Sequence, residues 1–183
     1  MSDVDRRVTY GLLAAWAVHD AEEVIMVPRW VRARVPELRE RFPQVPAPVW
    51  RRLESIGGGE FAIAVSGMGL LVAAAAADGH RTGGRSAAYQ SVLLAFGLHG
   101  VGHLVQSAAV RGYTPGAATS PLIVIPFSLW ARGRLRRAGV LRPARPYDAV
   151  AGVAFTAAAL GATHGLARWL TRRRRSDLSV QGG

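Results

Sequence analysis

The sequence predicts an all-α membrane protein, a polytopic bundle of about five transmembrane helices with one interfacial amphipathic segment. Half of the 183 residues are apolar, and they are concentrated in blocks. Most blocks approach the roughly 20 residues that an α-helix needs to cross the hydrocarbon core of a membrane. We therefore expect one membrane-embedded domain over residues 1–175, a disordered tail over 176–183, and multi-pass insertion in the cell membrane.

Five apolar segments account for the predicted helices, over residues 8–28, 61–77, 87–110, 117–132 and 147–170. The first, third and fifth have the length to cross a membrane, and the second reaches it narrowly. The fourth is short, and Pro121 and Pro126 within it remove backbone hydrogen-bond donors. It is therefore either a kinked span or a re-entrant segment.

Residues 29–60 form the longest connection, because the first helix is expected to end at Pro28. The segment is rich in arginine, and Val31, Val35 and Leu38 recur at helical spacing. This pattern predicts a short amphipathic helix at the membrane interface. The tryptophans of the segment are expected at the depth of the lipid headgroups.

The chain has a formal net charge of +11, and all 23 of its positively charged residues are arginine. The arginines lie between the apolar blocks and near the C-terminus, where they attract anionic lipid headgroups. We therefore expect membrane lipids as partners and no nucleic acid. The arginines divide almost evenly between the two sides, so the orientation stays open. The sequence does not determine the oligomeric state. The absence of cysteine excludes disulfides and thiolate ligands.

The first apolar segment contains His19, Glu22 and Glu23, at positions i, i+3 and i+4. A helix brings these positions onto one face, about 5–6 Å apart. Ionisable groups inside a membrane cost several kcal/mol unless they are paired or coordinated, and they mark functional sites. One imidazole and two carboxylates are typical of a metal site or of acid/base chemistry.

The third apolar segment adds His99 and His103, at positions i and i+4, and His164 lies in the fifth. Together with His19, Glu22 and Glu23, these residues predict a shared centre for a divalent metal ion. The imidazole and carboxylate ligands suit zinc, iron or manganese. One ion with a free carboxylate as base, or two ions bridged by a glutamate, are both compatible with the sequence.

The arrangement His19-x-x-Glu22-Glu23 resembles the signature of small integral membrane proteins, the HXXEE-domain family. The stretch 113–119, with the pattern Tyr-x-Pro-Gly-x-x-Thr, adds to the likeness. The resemblance implies a multi-pass membrane protein and no established reaction. Within this stretch, Pro115 at i+1 and Gly116 at i+2 predict a tight turn beside the histidines of the third segment.

These residues favour a membrane enzyme that acts on a lipidic or isoprenoid-like substrate at a metal centre. One version is oxidation at bound iron, and another is hydrolysis by a metal-activated water with Glu22 or Glu23 as the base. The first alternative is a metal-ion or proton carrier, in which the same ligands form a transit site. The second is a structural or partner-binding membrane protein.

Overall fold

The computed structural model describes residues 4–55 and 57–143, with isolated positions at 161–163, 165 and 169. Every regular element within these residues is a helix, which confirms the all-α class. The helices are α1 (Arg6–Arg41), α2 (Ala47–Glu54), α3 (Gly58–Arg81), α4 (Ala87–Val110), a π-helical turn (Ser120–Val124) and α5 (Ile125–Arg137). Most of the predicted segment 147–170 and the whole of the predicted tail lie outside the described residues.

Helix α1 begins where Asp5 accepts a hydrogen bond from the backbone of Arg7, and it is much longer than predicted. It was expected to end at Pro28, but it continues through Pro28 and Pro36. A proline removes one backbone hydrogen bond and kinks a helix, and tertiary packing can offset that cost. Here Pro28 packs next to Gly58, and the helix beyond it has its own apolar cluster.

The amphipathic pattern of residues 29–60 belongs to the second half of α1 and to α2. Val31, Val35 and Leu38 pack with Trp50 of α2 in a buried cluster. Trp50 is only 6% exposed, so its indole is buried within the protein. The two helices instead cover each other's apolar faces, because each presents a stripe that the other buries.

The helices around the candidate site pack in consistent registers. Val8 of α1 contacts Tyr89 of α4, and eleven residues further on His19 contacts His99, so these two helices run parallel. Helix α3 is antiparallel to α1, since Trp16 meets Gly69 and Pro28 meets Gly58. The turn between α3 and α4 is secured by Ser86, whose side chain caps α4.

Helix α5 packs antiparallel against α4 where two glycines allow a close approach. A side chain at Gly97 would meet Ser128, and one at Gly100 would meet Val124. Small residues at a helix interface let two backbones come together in this way. Residues 111–119 lead from the end of α4 back to the level of His19, and the helix that follows ends at Arg137.

Two of the described helices, Gly58–Arg81 and Ala87–Val110, are long and apolar enough to cross a membrane. Only 22% of the most apolar 18-residue stretch of each helix is buried inside the protein, whereas the core helix of a soluble domain is mostly buried. Helix α1 carries the charged cluster, and α5 has 13 residues. The described residues therefore provide two candidate spans, fewer than the five predicted.

Candidate metal centre

Four of the predicted site residues meet between α1 and α4. One ligand atom from each of His19, Glu23, His99 and His103 lies within 4.8 Å of all the others, close enough to hold a metal ion. The Nε2 atom of His99 is 3.2 Å from that of His19 and 2.8 Å from that of His103. The Nε2 atom of His103 is 3.3 Å from Oε1 of Glu23.

The spacing on each helix explains the convergence. His19 and Glu23 are four residues apart on α1, and His99 and His103 are four residues apart on α4, so each pair occupies one helix face. Because the two helices run parallel, His19 lies beside His99 and Glu23 lies beside His103. The predicted meeting of the first and third apolar segments is therefore confirmed for these four residues.

Glu22 lies beside the cluster and points toward residues 113–119, which we call the site loop. Its carboxylate accepts hydrogen bonds from five donors of this loop. The distances are 2.6 Å from the Tyr113 hydroxyl, 3.1 Å and 3.4 Å from the amides of Gly116 and Ala118, and 2.9 Å and 2.7 Å from the amide and hydroxyl of Thr119. The carboxylate of Glu22 thus ties the loop to α1.

Thr119 connects the first histidine to Glu22. Its hydroxyl donates to Oε2 of Glu22, and the oxygen of this Thr119 hydroxyl lies 2.7 Å from Nδ1 of His19. A hydroxyl has a single hydrogen, so the bond to His19 requires the proton on Nδ1. The Nε2 atom of His19 then carries a lone pair, which faces His99.

The turn predicted at Pro115 and Gly116 is confirmed. The amide of Ala117 donates to the carbonyl of Thr114 at 3.0 Å. Gly116 has a backbone φ of +84°, which residues with a side chain rarely adopt. The imidazole of His103 packs directly against Gly116, and a Cβ added there would lie 2.6 Å from its Cε1 atom. The turn therefore fixes the orientation of one histidine of the cluster.

Hydrogen bonds between neutral groups cannot account for all contacts in the cluster. A neutral imidazole carries one hydrogen, and His19 uses its own at Nδ1. If Nε2 of His99 donates to His19, it cannot also bond to His103; if it accepts from His103, lone pairs face each other between His99 and His19. A single cation among these atoms is attracted to every lone pair at once.

One side of the cluster is open. His99 is exposed although its Nε2 atom faces the other two histidines, whereas His19 and His103 are buried. Gly102 follows one turn later on α4, and a Cβ added there would meet no atom of the described residues within 4 Å. Within the part of the chain that the structure describes, the surface beside His99 and Gly102 is therefore uncovered.

Tyr113 lies in the loop after α4, at the edge of the site. Burial, with the hydrogen bond to Glu22, raises the pKa of its phenol above the ordinary value. Its backbone carbonyl accepts a hydrogen bond of 2.7 Å from the indole of Trp30. The site loop is thus attached to α1 at two levels, at Glu22 and at Trp30.

The remaining polar residues of the segment complete the comparison with the sequence. Asp20 is buried, 8% exposed, and it does not belong to the group of four. His164 is outside the described residues, so its predicted place as a ligand is untested. Sequence reasoning assigned no role to Thr119; its position at the end of the Tyr-x-Pro-Gly-x-x-Thr pattern was the signal that marked it.

Fold and site together define a helical protein with a His/Glu cluster between α1 and α4 that is open on one side. The chain belongs to the family described as a protein of unknown function with HXXEE motif, whose model matches residues 10–131. This range contains all four residues of the cluster, the site loop and the start of α5. No curated protein and no solved structure matches the chain.

Proposed function

We propose that the protein is a membrane-embedded enzyme that uses one divalent metal ion, held by His19, Glu23, His99 and His103, to transform a lipidic substrate. The observation that carries this proposal is the convergence of three imidazole nitrogens and one carboxylate oxygen on one point. These distances have a simple counterpart in metal chemistry. Two nitrogen ligands, each about 2.0–2.1 Å from a tetrahedral zinc ion, lie about 3.3 Å apart.

The donor set narrows the choice of metal. Three imidazoles and one carboxylate suit zinc, iron or manganese, and the absence of sulfur ligands disfavours copper(I). Four donors around one point favour a single ion over two bridged ions. We assign Glu23 as a ligand and Glu22 to a role outside the coordination sphere, because the carboxylate of Glu22 bonds to the site loop.

A multi-pass membrane location is supported by apolar side chains on helices other than the two candidate spans. Val18 and Ile25 of α1 are 51% and 54% exposed, and Leu122 and Leu129 are 75% and 67% exposed. An exposed apolar surface of this extent is stable against lipid. We propose that α1 and α5 also lie in the bilayer, with the His/Glu cluster facing the interior of the bundle.

The open side of the cluster supports catalysis over a purely structural ion. Four protein ligands fill a tetrahedral zinc site, so water or substrate would have to enter as a fifth ligand, and the open side beside His99 gives it that access. With zinc, we expect hydrolysis: water adds across an ester bond, its hydroxyl to the acyl carbon and its second hydrogen to the departing alkoxide. With iron, we expect oxidation that consumes dioxygen and an external reductant.

A metal-ion or proton carrier is the alternative, and it requires a polar route from the cluster to both membrane faces. Among the described residues, the side chains that form hydrogen bonds at the edge of the cluster are those of Glu22, Tyr113 and Thr119, and these bonds hold the site loop to α1. They form an anchor and not a path. We therefore favour the enzyme.

The first experiment is elemental analysis of detergent-purified protein after growth with zinc, iron or manganese. We expect close to one ion per chain in the wild type and a loss in His103→Ala and Glu23→Gln. His80→Ala is the matched control, because His80 is outside the group of four and its loss should leave the metal content unchanged. A wild type without stoichiometric metal under all three supplements overturns the metal centre.

The second experiment separates the enzyme from the carrier. Metal-loaded protein is reconstituted in vesicles of phosphatidylethanolamine and phosphatidylglycerol, and the lipids are analysed by mass spectrometry with and without dioxygen. Free fatty acid in both conditions supports hydrolysis, and added oxygen only in air supports oxidation. Accumulation of metal ions inside the vesicles, abolished by Glu23→Gln, with unchanged lipids supports the carrier and overturns the enzyme.

A further inference from the structure

We infer that Glu22 and Thr119 form a positioning pair that prepares His19 for metal binding, so that the two glutamates of the His-x-x-Glu-Glu signature have different tasks. Glu23 binds the ion, and Glu22 acts through Thr119 on the histidine that binds it. The inference rests on the metal centre proposed above. It adds a group outside the coordination sphere that determines how the site is assembled.

The site loop depends on Glu22 for part of its backbone hydrogen bonding. The chain leaves α4 at Val110 and returns to the level of His19 without helical hydrogen bonds. Unpaired amides are costly inside a protein, and more so inside a membrane, where non-helical backbone is tolerated only when protein groups satisfy it. Glu22 accepts from three such amides, those of Gly116, Ala118 and Thr119.

The hydrogen bonds between Glu22, Thr119 and His19 have one possible direction. An ionised carboxylate only accepts, so the hydrogen of the Thr119 hydroxyl points to Glu22. The Thr119 oxygen can then only accept from Nδ1 of His19, 2.7 Å away. This chain of two bonds selects the His19 tautomer whose Nε2 lone pair faces His99.

The hydrogen-bond chain from Glu22 to His19 resembles the way in which histidine ligands are oriented in metal sites. Histidine ligands commonly donate their second ring N–H to a carboxylate, a carbonyl or water, which fixes the ring and raises its basicity. Here the carboxylate of Glu22 exerts this effect through one hydroxyl. Loss of such a partner typically weakens metal binding about 10–100-fold. We expect a loss of that order when the Thr119 hydroxyl is removed.

The test uses the full-length protein in detergent, with zinc as the probe and a chelator as the competitor. Thr119→Val removes the hydroxyl at constant volume, and Thr119→Ser retains it. Ser120→Ala is the matched control, because the Ser120 hydroxyl donates to the carbonyl of Gly116 and does not contact His19. We expect the zinc dissociation constant to rise about 10–100-fold in Thr119→Val alone.

A second measurement is independent of the metal. Nitrogen chemical shifts of the imidazole rings in metal-free protein report which ring nitrogen carries the proton. We expect His19 to be protonated at Nδ1 in the wild type and in Thr119→Ser, and to shift toward Nε2 in Thr119→Val. A merely structural effect of the substitution on the loop does not select a tautomer.

The outcomes separate this inference from the proposed function. If zinc binds and Thr119→Val changes neither the affinity nor the tautomer, the positioning pair is wrong and the metal centre stands. If the wild type binds none of zinc, iron and manganese but the tautomer changes as expected, the hydrogen-bond chain is right and the metal centre is wrong. If Ser120→Ala weakens binding as much as Thr119→Val, the effect belongs to the loop and not to the pair.

Discussion

The imidazole of His103 lies directly against the α-carbon of Gly116, so that one ring of the His/Glu cluster and one turn of the site loop occupy a shared surface. A Cβ at position 116 would be 2.6–2.9 Å from three atoms of this ring. Glycine is required here for two independent reasons, the close approach and the φ of +84°. The turn and the histidine therefore constrain each other.

The substitution Gly116→Ala is expected to lower both stability and metal content. The backbone conformation alone costs about 1–2 kcal/mol for an L-residue, and the new methyl group also displaces His103 from the cluster. Thermal unfolding in detergent and elemental analysis measure the two effects. Gly112→Ala is the control in the same connection, because a Cβ there meets only the end of the Arg34 side chain at 3.6 Å. Equal metal content in both variants would contradict the prediction.

The two adjacent glutamates are expected to respond differently to the same change. Glu23→Gln replaces a charged ligand and should lower metal affinity with little effect on the apo protein, because the one close polar contact of Glu23 among the described residues is with His103. Glu22→Gln weakens five hydrogen bonds to the site loop and should also destabilise the metal-free protein. Unfolding of both apo variants, followed by zinc titration, distinguishes these patterns; identical behaviour would show that the two carboxylates share one role.

The helices of this protein were predictable to the extent that local signals delimit them. Segment 87–110 was predicted with the bounds that α4 has, because the apolar run has these limits; in the structure Ser86 caps the helix and Arg111 follows its last residue. The prediction for α1 stopped too early at Pro28. Nothing local shows that a proline is tolerated; the packing of Pro28 near Gly58 and of Val35 under Trp50 becomes visible only in three dimensions.

The site was predictable in composition and not in its division of tasks. Spacing on two helices, together with the cost of burying ionisable groups, indicated that His19, His99 and His103 meet. Glu22 and Glu23 fall on the same face, at i+3 and i+4, so spacing cannot show which of them faces the histidines. That choice depends on the loop amides near Gly116 and Thr119, almost a hundred residues away along the chain.

The phenol of Tyr113 is expected to stay protonated above the ordinary tyrosine pKa of about 10. Burial and the hydrogen bond to Glu22 raise its pKa in the folded state, so the fold favours the neutral phenol. The corresponding stabilisation is fully present below the unfolded pKa and is lost as the pH rises through the folded pKa. Absorbance titration near 295 nm, compared between wild type and Tyr113→Phe, isolates this residue. A phenol that titrates at or below pH 10 contradicts the hydrogen bond.

The open side of the cluster gives the final prediction, that Gly102→Leu blocks access to the metal without removing it. Gly102 follows His99 by one helical turn, and no described atom lies within 4 Å of a Cβ built there. A leucine fits without displacing a ligand, so cobalt(II) loaded in place of the native metal should bind with unchanged stoichiometry. Azide, added as an external ligand, should then perturb the cobalt spectrum of the wild type and perturb that of Gly102→Leu much less.

Val101→Leu is the matched control, because Val101 is 48% exposed and lies on another face of α4. If azide reaches the cobalt equally in all three proteins, substrate approaches from a different side; if it reaches none of them, the site is closed and the enzymatic proposal loses its main support.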